Sequence, residues 1–167
     1  MTSLTTAQIA TLKAAVLADP VASVYLNQGN DTALRDWFNT ETVKVVWKTH
    51  LPESDITDLT GSGGTTWNWT TYIGRSVAEK AAWERMVARG YINPSLSQVR
   101  AGCADIFSGT AQTAVAMRDH LTAMSQRFAL TAESILAVGV GTTLSPATMA
   151  WEGAVSASDV IAIRTSP

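Results

Sequence analysis

Apolar positions recur at helical spacing through most of the chain, and each run is bracketed by recognisable start and stop residues. Thr5-Thr6-Ala7-Gln8 has the form of a capping box, followed by Ile9, Leu12 and Val16 on one stripe. Asp19-Pro20 ends that helix and can start a short one through Leu26, with Pro20 in the first helical position. Asn27-Gln28-Gly29-Asn30 reads as a turn, and Asn30 or Asp31 then caps a helix through Phe38 with Leu34 and Phe38 on one face.

The period changes at Thr42-Val43-Lys44-Val45-Val46-Trp47-Lys48-Thr49. This run is β-branched and roughly alternating, which favours a strand, although a run this short also admits a helix. Pro52 stops it, and Ser54 can cap a helical turn through Leu59, with Gly61 closing that turn. Gly61-Ser62-Gly63-Gly64-Thr65-Thr66 predicts a Gly-rich loop over 61–66. It shares composition with a phosphate-binding loop but lacks the Lys-Ser/Thr ending that would reach a phosphate.

Trp67, Trp69 and Tyr72 follow that loop directly. They can anchor it on the core or on a neighbouring subunit. Gly61, Gly63, Gly64, Trp67, Trp69 and Tyr72 are therefore the candidate contact residues.

Ser76-Val77-Ala78-Glu79 is a second capping box, and its helix is expected to reach Arg89. Ala82, Trp83, Met86 and Val87 make its apolar side, and Val77, Ala81, Glu84 and Ala88 the other. Gly90 stands where a left-handed residue closes a helix. Asn93-Pro94 is expected to cap and open the next helix, with Leu96, Val99, Cys103 and Ile106 as its stripe and Gly109 as its end. Thr110 is expected to cap the longest helix, through about Phe128, with Met117, Leu121, Met124 and Phe128 inside. Thr131 is expected to cap a shorter one, with Ile135 and Leu136 inside.

A Gly139–Pro146 loop and an extended segment at 147–152 follow. If 43–49 is extended too, the two can pair. Ser156 caps a last helix to about Ile163, and the tail from Arg164 is expected to fray. The fold class these signals predict is mainly α: one single-domain helical bundle over 1–167 with short extended segments at 43–49 and 147–152.

Composition sharpens this picture. Charged residues make up 16% of the 167, against roughly 25% in ordinary soluble domains. Six are Trp. Little charge and much Trp point to apolar surface that meets a partner, the alternative being a large Ala-rich core. A net charge of −2 disfavours nucleic-acid binding, and sequence-specific binding in particular. No polybasic run or apolar span calls for a membrane. The N-terminal residues lack the basic region and apolar core of a secretory signal, and Cys103 has no cysteine to pair with, so folding in a cytoplasm is expected. The sequons Asn30-Asp31-Thr32 and Asn68-Trp69-Thr70 then read as chance.

Candidate chemistry is sparse. His50, His120 and Cys103 have no metal spacing, so no metal or cofactor is expected. His120 and Asp119 are adjacent on a helix and do not face one another. Asp105, Glu79, Glu84 and Glu133 are scattered carboxylates, and there is no Gly-x-Ser-x-Gly elbow. No catalytic residue is assigned, and the expectation is a protein that is not an enzyme. Arg75, Lys80, Arg85, Arg89 and Arg100 alternate with acids. That pattern reads as a solvated face, or as complementary patches between identical subunits.

Several segments together carry a resemblance: Val45-Val46-Trp47-Lys48-Thr49, the Trp83 helix, Ile92-Asn93-Pro94-Ser95, Ile106-Phe107-Ser108-Gly109-Thr110-Ala111, Ser145-Pro146-Ala147-Thr148-Met149 and Glu152-Gly153. The chain resembles small virion structural proteins of tailed bacteriophages over most of its length. The resemblance implies a head-to-tail connector, an adaptor or neck protein that forms an oligomeric ring and binds the portal or tail proteins by contact. It implies location in the virion after synthesis in the host cytoplasm. The alternatives are a tail-completion, tail-associated or capsid-decoration protein, then a non-virion helical protein or an enzyme. The motifs are packing and turn motifs, so the resemblance carries no catalytic residue.

Overall fold

The structure is a computed structural model that describes residues 3–58 and 66–167. The fold is mainly α, with ten helices and four short strands among the described residues. The chain forms two compact units, one of Met1–Val46 with Phe128–Pro167 and one of Trp47–Arg127. No described helix is long and apolar enough to cross a membrane.

In the first unit, α1 (Thr6–Ala18) starts at the expected capping box: Gln8 N–H donates to Thr5 Oγ1 and Thr5 N–H to Gln8 Oε1. α2 (Ala22–Asn27) begins where Asp19 Oδ1 accepts from the N–H groups of Val21 and Ala22. α3 (Asp31–Phe38) is capped by Asn30, whose side chain accepts from Ala33 N–H.

The β-branched run forms β1 (Glu41–Trp47), which pairs with β4 (Gln126–Leu130) in a two-stranded sheet. The expected pairing with the late extended segment is also present, as a parallel bridge between Val46 and Ala147. α9 (Thr131–Leu136) ends under Lys44, whose ammonium donates to the carbonyls of Ser134 and Ala137, a cation at a helix C-terminus. Gly141, at φ 80°, crosses the Lys44 stem so closely that a Cβ there would collide with it. α10 (Ala157–Thr165) has its own capping box, with Asp159 Oδ2 accepting from Ser156 N–H. It continues past the expected frayed point, and Arg164 Nε lies 3.1 Å from Asp31 Oδ1.

The core of this unit is Leu12, Val16, Leu34, Phe38, Leu136, Trp151, Val160 and Ile163 with small residues between them. Each fully buried aliphatic side chain contributes about 1.5–3 kcal/mol. Polar links tie distant segments together. Asn39 donates to Val155 O at 3.0 Å and accepts from Val155 N–H at 2.7 Å. Glu133, buried, accepts from Leu130 N–H and from Gly153 N–H.

In the second unit, β2 (Leu51–Pro52) pairs antiparallel with β3 (Tyr91–Ile92), Leu51 opposite Ile92. Pro52, not Ser54, precedes α4 (Glu53–Thr57). The expected end at Leu59 and the loop residues 61–65 lie outside the described residues.

α6 (Val77–Met86) follows the Ser76–Glu79 capping box. It stops short of Arg89 because Tyr91–Ile92 pairs with β2 and Gly90 O accepts from Glu53 N–H, which pulls the backbone out of the helix. Gly90 still adopts the left-handed conformation, at φ 76°.

α7 (Ser97–Ile106) begins later than Asn93-Pro94, since Asn93 Oδ1 accepts from Ser95 N–H and Oγ and closes a turn instead. α8 (Gln112–Met124) has Ala111, not Thr110, at its N-cap. It ends before Phe128, which lies in β4 and is half-exposed.

Candidate contact surface

The segment after the Gly-rich loop forms an aromatic cluster inside the Trp47–Arg127 unit. Asn68 Oδ1 accepts from Thr71 N–H, which opens the single-turn helix α5 (Trp69–Ile73). This cap places Trp67 before the helix, pointing inward, and Trp69 on its first residue. The Trp67 ring lies 5.1 Å from Trp83, 5.6 Å from Tyr72 and, edge-on, 5.7 Å from Phe107 and Trp69. Edge-to-face and tilted pairs at these separations add to the burial of the rings themselves.

Of the two roles open to Trp67, the structure assigns the core anchor: it is 2% exposed, so its ring presents no contact surface. Its indole N–H finds no acceptor among the described residues, a cost of about 1–3 kcal/mol offset by the ring packing. Tyr72 is half-buried against the cluster, and partial burial with the carboxylates of Glu84 and Glu53 raises its phenol pKa. Gly61, Gly63 and Gly64 lie outside the described residues.

Trp69 remains 45% exposed. One turn on, Ile73 is 66% exposed, and Val77, the first residue of α6, is 82% exposed. Trp69 and Ile73 stand at i and i+4, on one face. Trp69 and Ile73 thus leave an apolar face in water beside a packed aromatic core, and Val77 opens the next helix exposed. Arg75 rims them. Its Nη2 donates to Glu79 Oε1 at 2.5 Å, and its guanidinium lies 6.0 Å over Phe107. Glu79 accepts from the Ser76 hydroxyl and N–H as well as from Arg75, and these bonds hold its carboxyl down at about 2.

The other unit exposes its own apolar group. Val138 and Val140 are largely exposed and Leu144 is 97% exposed, on a loop held to β1 by the bond from Val45 N–H to Gly141 O at 2.8 Å. Val43, on β1, is also exposed. A bridge between Val138 and Thr148 and bonds linking Gly141, Thr142 and Ser145 close the loop on itself. Its apolar tips are therefore displayed on ordered backbone.

Sequence reasoning missed Ile73, Val77, Val138, Val140 and Leu144. A signal existed for two of them. Val77 falls on the polar side of its helix, and Leu144 is an aliphatic residue in a Thr-Ser-Pro turn.

The chemical candidates occupy packing positions. His120 is fully buried, its Nε2 2.7 Å from Ile56 O, while the adjacent Asp119 is exposed. His50 lies against Tyr91, with ring centroids 4.1 Å apart. Burial pushes the Cys103 thiol up to about 11, so it stays protonated among its apolar neighbours. Glu79 is committed to its cap, and Glu133 belongs to the first unit. Both sequon asparagines, Asn30 and Asn68, spend their side chains on helix caps. Among the described residues, no group of three His, Cys, Asp or Glu side chains could hold a metal. No protein-family model, curated protein or solved structure matches the chain.

Proposed function

We propose that this chain is a virion structural protein of a tailed bacteriophage, a head-to-tail connector of the adaptor or neck type. It acts by protein–protein contact and not by catalysis, and its α-rich units carry the contacts on short helices and loops. The observation that carries the reading is a pair of exposed apolar groups, one in each unit: Trp69, Ile73 and Val77, and Val138, Val140 and Leu144. A ring is built by heterologous contacts, so each subunit must offer two different surfaces, one to each neighbour. Large apolar side chains at ordered positions suit both. Low overall charge and the phage-like segments support the same reading.

Two measurements test it. Mass spectrometry of purified particles should find the chain in the virion, at a copy number suited to one ring. A copy number comparable to the capsid subunit would point to a decoration protein instead. In light scattering, the purified protein should self-associate in a concentration-dependent way. Trp69→Ser and Leu144→Ser should each weaken association about tenfold or more while leaving the circular dichroism spectrum unchanged, because hot-spot side chains at an interface cost about 1.4 kcal/mol or more when truncated. A strict monomer that is absent from virions would sink the reading.

A further inference from the structure

The Trp47–Arg127 unit contains a cavity of about 290 Å³, apart from the aromatic cluster. Its apolar lining includes Trp47, Ile92, Pro94, Val99 and Leu121. Two guanidinium groups, Arg100 and Arg118, share the lining with a single carboxylate, Asp119.

Both arginines are held in place by backbone carbonyls. Arg100 Nη1 donates to Pro94 O at 2.6 Å and Ser95 O at 2.9 Å, and its guanidinium lies 4.4 Å over the Trp47 ring. Arg118 Nη1 donates to Phe107 O at 2.5 Å and Gly109 O at 3.0 Å. In each case one terminal nitrogen carries both bonds. Among the described residues, the rest of each fork has no hydrogen-bond partner, and neither arginine forms an ion pair with Asp119. The backbone that holds Arg100 is itself fixed, since Ser95 N–H donates to Lys48 O and Asn93 Oδ1 closes the turn.

A guanidinium stacked on an indole and pinned at one nitrogen has already lost most of the freedom that binding would cost. Its free donors match the planar or tetrahedral array of an oxyanion. The volume lies at the small end of ligand pockets, roughly 300 Å³, and an apolar wall with a few fixed polar groups is their usual lining.

We propose that this cavity binds a small oxyanion, a carboxylate or a phosphate ester, that carries one ring or short apolar chain. The oxyanion sits on the Arg100 fork, with Arg118 adding positive potential, and the apolar body lies against Trp47, Val99 and Leu121. Asp119 disfavours highly charged anions of any kind, and the apolar lining, which only a head carrying an apolar body can use, sets the preference over free phosphate. The site is independent of ring assembly, since it requires only the Trp47–Arg127 unit.

Titration of the full-length protein with four probes, followed by amide chemical shifts, tests this. Phenyl phosphate and benzoate carry head and body, inorganic phosphate carries only the head, and benzyl alcohol only the body. Phenyl phosphate, benzoate or both should shift the amides of Val99, Arg100, Thr122 and Ser125. The two partial probes should bind at least tenfold more weakly. Arg100→Met keeps the stem on Trp47 and should cost tenfold or more in affinity. Thr122→Trp, at an exposed lining position, should block binding by filling the cavity without touching the fork. A preference for phenyl phosphate over benzoate would identify the head as a phosphate ester, and the reverse as a carboxylate. Shifts that map elsewhere, or equal affinity in a folded Arg100→Met protein, would overturn the proposal, as would the absence of binding by either complete probe.

Discussion

The two units close their cores with different materials. In the Trp47–Arg127 unit, rings and sulfur share the core with aliphatic side chains: Trp67, Trp83 and Phe107 pack with Met117, Met124 and Cys103. In the other unit the core is largely aliphatic, and polar side chains bond to backbone far away in the sequence. Asn39 reaches Val155, Glu133 reaches Gly153, and Gln8 reaches Ala150. Aromatic packing tolerates imprecise backbone, because rings make large contacts in several tilted or edge-on geometries. Hydrogen bonds between side-chain amides or carboxylates and distant backbone do not, and losing a partner leaves a covered group unsatisfied. The first material suits a unit assembled from one- and three-turn helices. The second suits a unit whose two chain segments are far apart in sequence and must be held in register.

The largest test of this contrast is Trp83→Ala. It removes the ring contacts to Trp67 and Phe107 and leaves a cavity, so unfolding in urea should show a loss of about 3–5 kcal/mol. Amide exchange should quicken first within Trp47–Arg127. A loss under about 1 kcal/mol would mean that the remaining rings close the gap, far beyond what large-to-small changes in packed cores usually allow.

Asn39→Ala probes the other unit. Both bonds to Val155 disappear and the Val155 N–H loses its acceptor, for a loss of about 2 kcal/mol by the same measurement. Asn39→Asp keeps the acceptor and should recover part of it. If alanine and aspartate behave alike, the N–H of Val155 is not the group that matters.

The smallest effect is a pH dependence on the surface of the aromatic unit. Glu79 has its carboxyl lowered to about 2 from an ordinary 4.5, chiefly by the Ser76 hydroxyl, then by the Ser76 N–H and by Arg75. A depressed carboxyl stabilises the fold above its ordinary pKa, and that stabilisation fades as pH falls from about 4.5 towards 2. In Glu79→Gln the thermal midpoint should change less steeply across that window than in the parent. Identical slopes would remove the helix cap from the account of acid stability.

The sequence carried the local half of the structure. Thr5, Asn30, Ser76 and Ser156 start helices as read, because a cap needs only a side-chain oxygen and an N–H two or three residues away. The run at 43–49 is a strand as far as Trp47 because β-branched residues favour that backbone, and Gly90 is left-handed because no other residue takes that conformation as cheaply. Cys103 as a core residue was also legible from its stripe. The contact surface was half legible: Trp69 was named, but its partners in exposure were not.

Tertiary structure decided the rest. Gln126–Phe128 was read as the end of a helix because Phe128 continues the stripe of Met117 and Leu121, yet Gln126–Leu130 is a strand because β1 offers a ladder of backbone partners that no local signal shows. The helix expected from Asn93 starts at Ser97 because a turn claims the Asn93 side chain first. The division into two units leaves no linker composition, since the chain crosses between them within β1 and within β4. Trp67 and Trp69, two residues apart and chemically identical, separate into a buried anchor and an exposed ring. A sequence specifies what each residue can bond to nearby. Which tryptophan is covered depends on where the rest of the chain lies, and that is set only when the distant partners Trp83 and Phe107 arrive.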